Sequence, residues 1–108
     1  FEYDSAVIKE ESHRLLEIVA RTIELNPELG LIEIQGHTDE RGPAAYNLEL
    51  SQRRSESVVR FLVSAGVSGD KLQARGFGES QPIDRGRNPR AWAANRRVEF
   101  VIRERVAD

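Results

Sequence analysis

The 108-residue chain has no cysteine, which excludes disulfides, zinc sites built on thiolates and cysteine nucleophiles. Neither sign of charge is in clear excess. Sixteen Lys and Arg stand against eighteen Asp and Glu, for a net charge of −2. The two signs are mixed along the chain, the pattern of a soluble surface and not of a nucleic-acid binder. Lysine is scarce: 14 of the 16 cations are arginine, the side chain suited to planar, bidentate contacts with carboxylates and phosphates. No apolar run approaches the roughly 20 residues of a membrane-spanning helix, and no signal peptide is visible. The chain starts at Phe1 instead of a methionine, so it is expected to be part of a longer polypeptide, with any such segments upstream.

What is present is a set of alternating and helical patterns without internal repeats. "FEYDS" looks like the end of a strand. Asp4 or Ser5 is placed to cap a helix running to about Leu25, with Ile8, Leu15, Val19 and Thr22 at helical spacing. Asn26-Pro27 ends it, because the residue before proline is driven out of the α region. Residues 31–36 alternate Ile32 and Ile34 against Glu33 and Gln35. Residues 97–103 alternate Val98, Phe100 and Ile102 against Glu99, Val101 and Arg103. Strands with one polar face belong to a sheet covered on one side only. A helix over 47–65, a strand over 72–77, a loop and a short helical turn over 90–94 complete the series. The order (β)αβαβ(α)β predicts an α/β two-layer sandwich, a mixed sheet with its helices on one face, as a single domain over residues 1–108. Phe61, Phe77 and Phe100 are expected in the core, and Trp92 at an edge.

With Asn47 as its cap, the second long helix carries Asn47, Leu50, Arg54, Val58, Phe61 and Ala65 on one stripe. Arg53 points about 100° away and is free to be solvated. Arg54 interrupts the apolar row, where an unpaired charge is costly. Three readings stand at this point: the side chain snorkels to water, forms a structural ion pair, or holds a ligand carboxylate. "GHTDERG" supplies a candidate anion in Asp39, just past the C-terminal end of a strand, where α/β sheets commonly place ligands. Asp39 is then either the internal partner of Arg54 or one half of a two-charge site fitted to a zwitterion.

"GHTDERG", "YNLELSQRR" and "NRRVEFVI" strongly resemble the OmpA-like C-terminal domain, a peptidoglycan-binding module of bacterial envelope proteins. The resemblance runs through nearly the whole chain. The family pattern N-x-x-L-S-x-x-R falls on Asn47, Leu50, Ser51 and Arg54, and "TDERG" with "QRR" is similar to the peptidoglycan-associated lipoproteins. The resemblance implies non-covalent binding of the stem peptide through meso-diaminopimelate. Asp39 and Arg54 would grip its ammonium and carboxylate. Thr38, Asn47, Leu50 and Val58 would line or brace the pocket, and Tyr3, Asp4 and Ser5 would give mainly backbone contacts. Ser55 stands where many members have alanine, a small change on the less critical face. The implied setting is the periplasm, with attachment to the outer membrane through an upstream region; attachment to the inner membrane, as in a flagellar stator, is the other setting. The partners implied are peptidoglycan and other envelope proteins, with no nucleic acid and no cofactor. In the empty domain, Asp39 itself is expected to answer Arg54.

Three other readings compete. His37-x-Asp39 with Glu40 could serve a metal-dependent hydrolase, but the only other histidine, His13, has no ligand spacing, and the motif is more simply a hydrogen-bonded turn. "GFGES" is not a nucleophile elbow, so no enzyme is expected. Residues 84–105 carry seven arginines against three acids, yet Glu99 and Glu104 interleave them, which makes a mixed-charge surface. The polar faces of the two alternating strands could instead dock another envelope protein.

Overall fold

The computed structural model describes residues 5–105. The strand expected at the very start, and the site positions Tyr3 and Asp4, lie outside them. Helix α1 (Glu10–Glu24) leads to strand β1 (Leu29–His37) and helix α2 (Ala44–Ser64). A 3-10 turn (Gly69–Lys71), strand β2 (Leu72–Gly78), short helix α3 (Pro89–Asn95) and strand β3 (Arg97–Arg105) follow. β1 is the middle strand, parallel to β2 and antiparallel to β3. The parallel pair needs a long crossover, which α2 provides. Ile32, Ile34 and Leu72 form the core with Val58 and Leu62 of α2 and Leu16, Ala20 and Ile23 of α1. The expected two-layer α/β sandwich with a mixed sheet is present.

α1 starts later than its sequence suggested. Lys9, not Asp4 or Ser5, is the N-cap residue, and Glu10 and Glu11 in the first turn with Arg21 in the last suit the helix dipole. Its buried face is also rotated from the expected one. Leu16, Ala20 and Ile23 face inward, while Leu15 and Thr22 are exposed. The segment carries two overlapping apolar stripes, and only docking against α2 and the sheet chooses between them. α2 starts earlier than expected, with Pro43 at the N-cap and not Asn47. Pro43 lacks an N–H to leave unsatisfied and has φ −64°, so it suits a helix start. Asn47 already donates its backbone N–H to the Pro43 carbonyl.

α2 lies close against the sheet because two glycines face it. Gly36 and Gly76 are register partners on β1 and β2. A Cβ at Gly36 would collide with the Ser51 carbonyl oxygen, and one at Gly76 with the Gln52 amide nitrogen. Side chains of α2 then bond the backbone of β2. Ser51 Oγ accepts from Gly78 N at 2.9 Å, Gln52 Oε1 accepts from Gly76 N at 2.7 Å, and Ser55 Oγ donates to the Arg75 carbonyl at 3.2 Å. Ser55 therefore sits at a tight contact and not on a tolerant face: it is fully buried and its hydroxyl also reaches the Ser51 carbonyl.

The other sheet face departs further from expectation. Glu33 and Gln35 should have faced water, yet they are only 4% and 7% exposed, and His37, expected in the turn, ends β1 on the same face at 3%. Neighbouring strands cover them. Arg103 Nη2 donates to Glu33 Oε1 at 2.7 Å, and the Phe77 ring stacks on His37 with centroids 5.2 Å apart. Gln35 Nε2 donates to Glu33 Oε1 at 2.6 Å, which turns the Gln35 carbonyl oxygen toward His37 Nε2 at 3.3 Å. Phe77 is thus on the outer face with Arg75, not in the core. Phe100 lies on the helix side of β3 but is 39% exposed, because it lines an open groove; of the three phenylalanines, Phe61 packs against the core.

Candidate functional site

Past the end of β1 the chain turns sharply through Thr38, Asp39, Glu40, Arg41 and Gly42 into α2. Thr38 N donates to the Gly78 carbonyl at 2.9 Å, tying the turn to β2. Asp39 Oδ1 accepts from the Arg41 backbone N–H at 2.8 Å, an Asx turn, and Gly42 follows at φ 87°, a conformation costly for other residues. Asn47 closes the unit from α2: its Nδ2 donates to the Arg41 carbonyl at 2.9 Å and to the Asp39 carbonyl at 3.3 Å. Thr38 Oγ1 also donates to the Asp39 carbonyl, at 3.0 Å.

Arg54 lies two helical turns further along α2. Its Nε donates to the Ser5 carbonyl at 2.8 Å, which brings the segment before α1 onto the site across 49 residues. Thr38, Asp39, Asn47, Leu50, Arg54 and Val58 all line one open groove of about 950 Å³. Ile8 from the segment before α1, Leu15 from α1, and Val98 and Phe100 from β3 supply apolar wall. Six of the nine residues named from the sequence thus meet in the groove. Ser5 touches the site through Arg54, and Tyr3 and Asp4 lie outside the described residues.

The expected Asp39–Arg54 pair is not what forms. Asp39 is 6% exposed, and its carboxylate is held by two other arginines. Arg41 donates Nε to Oδ1 at 3.2 Å and Nη2 to Oδ2 at 2.9 Å, while Arg96 Nη1 reaches Oδ2 at 2.9 Å. Burial alone would raise the Asp39 pKa. The side-chain and backbone bonds from Arg41, then the bond from Arg96, outweigh it and bring the carboxyl from 3.8 down to about 2. Asp39 is therefore ionised at any physiological pH. The groove keeps two separate poles, a clamped carboxylate and a guanidinium anchored on a main-chain carbonyl.

His37 is turned from the groove chemistry that a hydrolase would need. Its ring is committed to the outer sheet face, stacked on Phe77 and bonded to Gln35. Among the described residues, no group of three or more His, Cys, Asp or Glu is placed to hold a metal ion.

The OmpA family matches residues 1–96. The chain belongs to the OmpA family. Over 100 residues it is 42% identical to a peptidoglycan-associated lipoprotein of Pseudomonas putida, covering 93% of this chain and 59% of that protein. The crystal structure of the peptidoglycan-associated lipoprotein from Burkholderia pseudomallei aligns with a TM-score of 0.85 at 38% identity, over 94% of this chain and 85% of that one. The C-terminal domain of Helicobacter pylori MotB aligns with a TM-score of 0.85 at 26% identity, over 94% and 79%. The chain spans about three fifths of the length of the Pseudomonas relative.

Within this OmpA-family domain the sequence reading missed three residues that shape the site: Arg41, Arg96 and Trp92. Arg41 left a signal, since Asp-x-Arg-Gly is the pattern of an Asx turn that returns the second side chain to the first. Arg96 left none, being 57 positions from Asp39. Trp92 lies on α3, four residues before Arg96, the extended residue that caps the helix C-terminus. Its ring centroid is 4.5 Å from the Arg41 guanidinium carbon, and its Nε1 donates to Glu40 Oε1 at 3.3 Å. α3 and the residue that follows it thereby clasp the Asp39 turn with two side chains.

Proposed function

We propose that this OmpA-family chain is a single peptidoglycan-binding domain of a longer envelope protein. It holds that protein to the cell wall by non-covalent contact with the meso-diaminopimelate of the stem peptide. The observation that carries the reading is the placement of a buried, ionised carboxylate and a separate guanidinium, Asp39 and Arg54, in one groove. Asp39 takes the ligand ammonium and Arg54 its carboxylate, each a charge-assisted bond worth about 1.5–3 kcal/mol net. Thr38 and Asn47 keep the turn in shape, Leu50 and Val58 flank the methylene chain, and Tyr3, Asp4 and Ser5 add main-chain contacts. Lysine lacks the second carboxylate and forgoes the charge-assisted contact to Arg54, so diaminopimelate-type walls are preferred. The role is binding without catalysis and needs no cofactor.

Relatives named peptidoglycan-associated lipoprotein support the ligand and a periplasmic setting at the outer membrane. The likeness to MotB supports the same kind of domain on a different anchor. Co-sedimentation with purified sacculi tests the reading. The unaltered domain is expected to pellet with diaminopimelate-type sacculi and much less with lysine-type ones, and Asp39→Ala and Arg54→Ala to remain in the supernatant. Undiminished binding by either variant would refute the site, and equal binding to both walls would refute the specificity.

A further inference from the structure

The Asp39 carboxylate is already fully used. A carboxylate offers about four lone-pair positions. Oδ1 accepts from the Arg41 backbone N–H and from Arg41 Nε, and Oδ2 from Arg41 Nη2 and Arg96 Nη1. An ammonium that reaches Asp39 must therefore displace a donor that is there before it.

The four donors are not equally replaceable. The Arg41 backbone N–H belongs to the turn that Asn47 and Thr38 hold, so it leaves only if the turn opens. Arg96 contributes one bond from the junction of α3 and β3. The Arg41 side chain contributes two bonds, carries a full positive charge and is about half exposed, so it can swing toward solvent without any backbone change. Its guanidinium also lies over the Trp92 ring, an attraction that adds to its hold on the site. Trp92 is in turn fixed by its bond to Glu40.

We propose, building on the diaminopimelate reading above, that the Arg41 side chain is the resident counter-ion of Asp39, that the ligand ammonium binds by taking its place, and that Trp92 is the positioning residue that sets how readily Arg41 leaves. The exchange swaps one cation for another, so the buried carboxylate is never left bare. It also accounts for selectivity: a ligand whose amine is acylated brings no charge with which to compete and cannot displace Arg41.

Trp92 is the chain's only tryptophan, so indole fluorescence reports on this corner of the site without a second indole to mask it. The test titrates the domain by calorimetry and fluorescence with a soluble muropeptide bearing a free diaminopimelate amine, and with the same muropeptide acetylated on that amine. Binding of the free-amine form is expected to change Trp92 emission as the guanidinium leaves the ring. Arg41→Ala should bind that form tighter by roughly 3- to 10-fold, the worth of the competing contacts removed, with the emission change lost. Arg41→Lys restores a competing charge and should return affinity toward that of the unaltered domain. Trp92→Ala should tighten binding in the unaltered background and do nothing further in Arg41→Ala. Weaker binding by Arg41→Ala, or binding by the unaltered domain with no change in emission, would overturn the proposal. Failure of the unaltered domain to bind either muropeptide would instead overturn the diaminopimelate reading, and this inference with it.

Discussion

Arg96 Nη1 donates to Asp39 Oδ2 at 2.9 Å, joining the start of the last strand to the turn after the first described strand. The bond does two things at once: it closes the end of the groove and it helps keep Asp39 ionised. Arg96→Gln is therefore expected to raise the Asp39 pKa from about 2 toward its ordinary value. The loss in stability should be small, about 1 kcal/mol or less, because the Arg96 side chain is nearly half exposed and its charge is screened. Carboxyl NMR titration measures the first effect and urea unfolding the second. An unchanged Asp39 pKa would show that Arg41 suffices alone.

Asn47 bonds two carbonyls of the Asp39 turn. Replacing it with alanine leaves both without that donor and costs about 1–2 kcal/mol. The larger consequence is positional: Asp39 loses its fixed geometry, so sacculus binding should fall even where the domain remains folded. Asn47→Asp should be worse than alanine, because an ionised carboxylate only accepts and would face two acceptors. Urea unfolding and co-sedimentation of the two variants check the order.

The glycine pair under α2 sets a steric limit. Gly76→Ala places a methyl against the Gln52 backbone nitrogen, and Gly36→Ala one against the Ser51 carbonyl. Backbone cannot step aside as a flexible side chain can, so each variant should lose about 1–3 kcal/mol as α2 is pushed off the sheet. Ser55→Ala removes a hydroxyl without adding bulk and should cost about 1 kcal/mol. Thermal or urea unfolding of the three will rank them. A neutral Gly36→Ala would mean that the helix has room to move.

Acid should destabilise the domain in two stages. Burial, aided by Arg97 and opposed by Glu99, holds the His37 pKa below 6.5. As pH falls through 6.5 the unfolded chain takes up a proton that folded His37 refuses, so stability declines until the lower folded pKa is reached. The ring explains the refusal. Gln35 turns its carbonyl oxygen to Nε2, which therefore carries the proton of the neutral ring, and among the described residues Nδ1 has no partner to receive a second N–H. His37→Gln should flatten the decline in stability that begins as pH falls through 6.5.

The second stage belongs to Asp39 and Glu33, both shifted down. Their contributions are complete above their unfolded values of 3.8 and 4.5, and are lost as pH falls through the folded ones. For Asp39 the window runs from about 4 to 2 and corresponds to about 2 kcal/mol. Asp39→Asn should remove that part of the acid transition, as read from urea unfolding at stepped pH.

Local patterns in the sequence were enough to determine the strand alternation at 31–36 and 97–103, the break at Asn26-Pro27, and the misplaced cation at Arg54. Each depends on neighbours within a few residues, where periodicity and backbone sterics act directly. Tertiary structure decided the rest. It chose which stripe of α1 is buried, because two were available. It buried Glu33, Gln35 and His37, because their exposure depends on the arginines and the phenylalanine that flanking strands bring alongside. It gave Asp39 to Arg41 and Arg96 and turned Arg54 onto the Ser5 carbonyl. An ion pair is settled by which charges the fold brings within bonding distance, and a partner 57 residues away leaves no local mark.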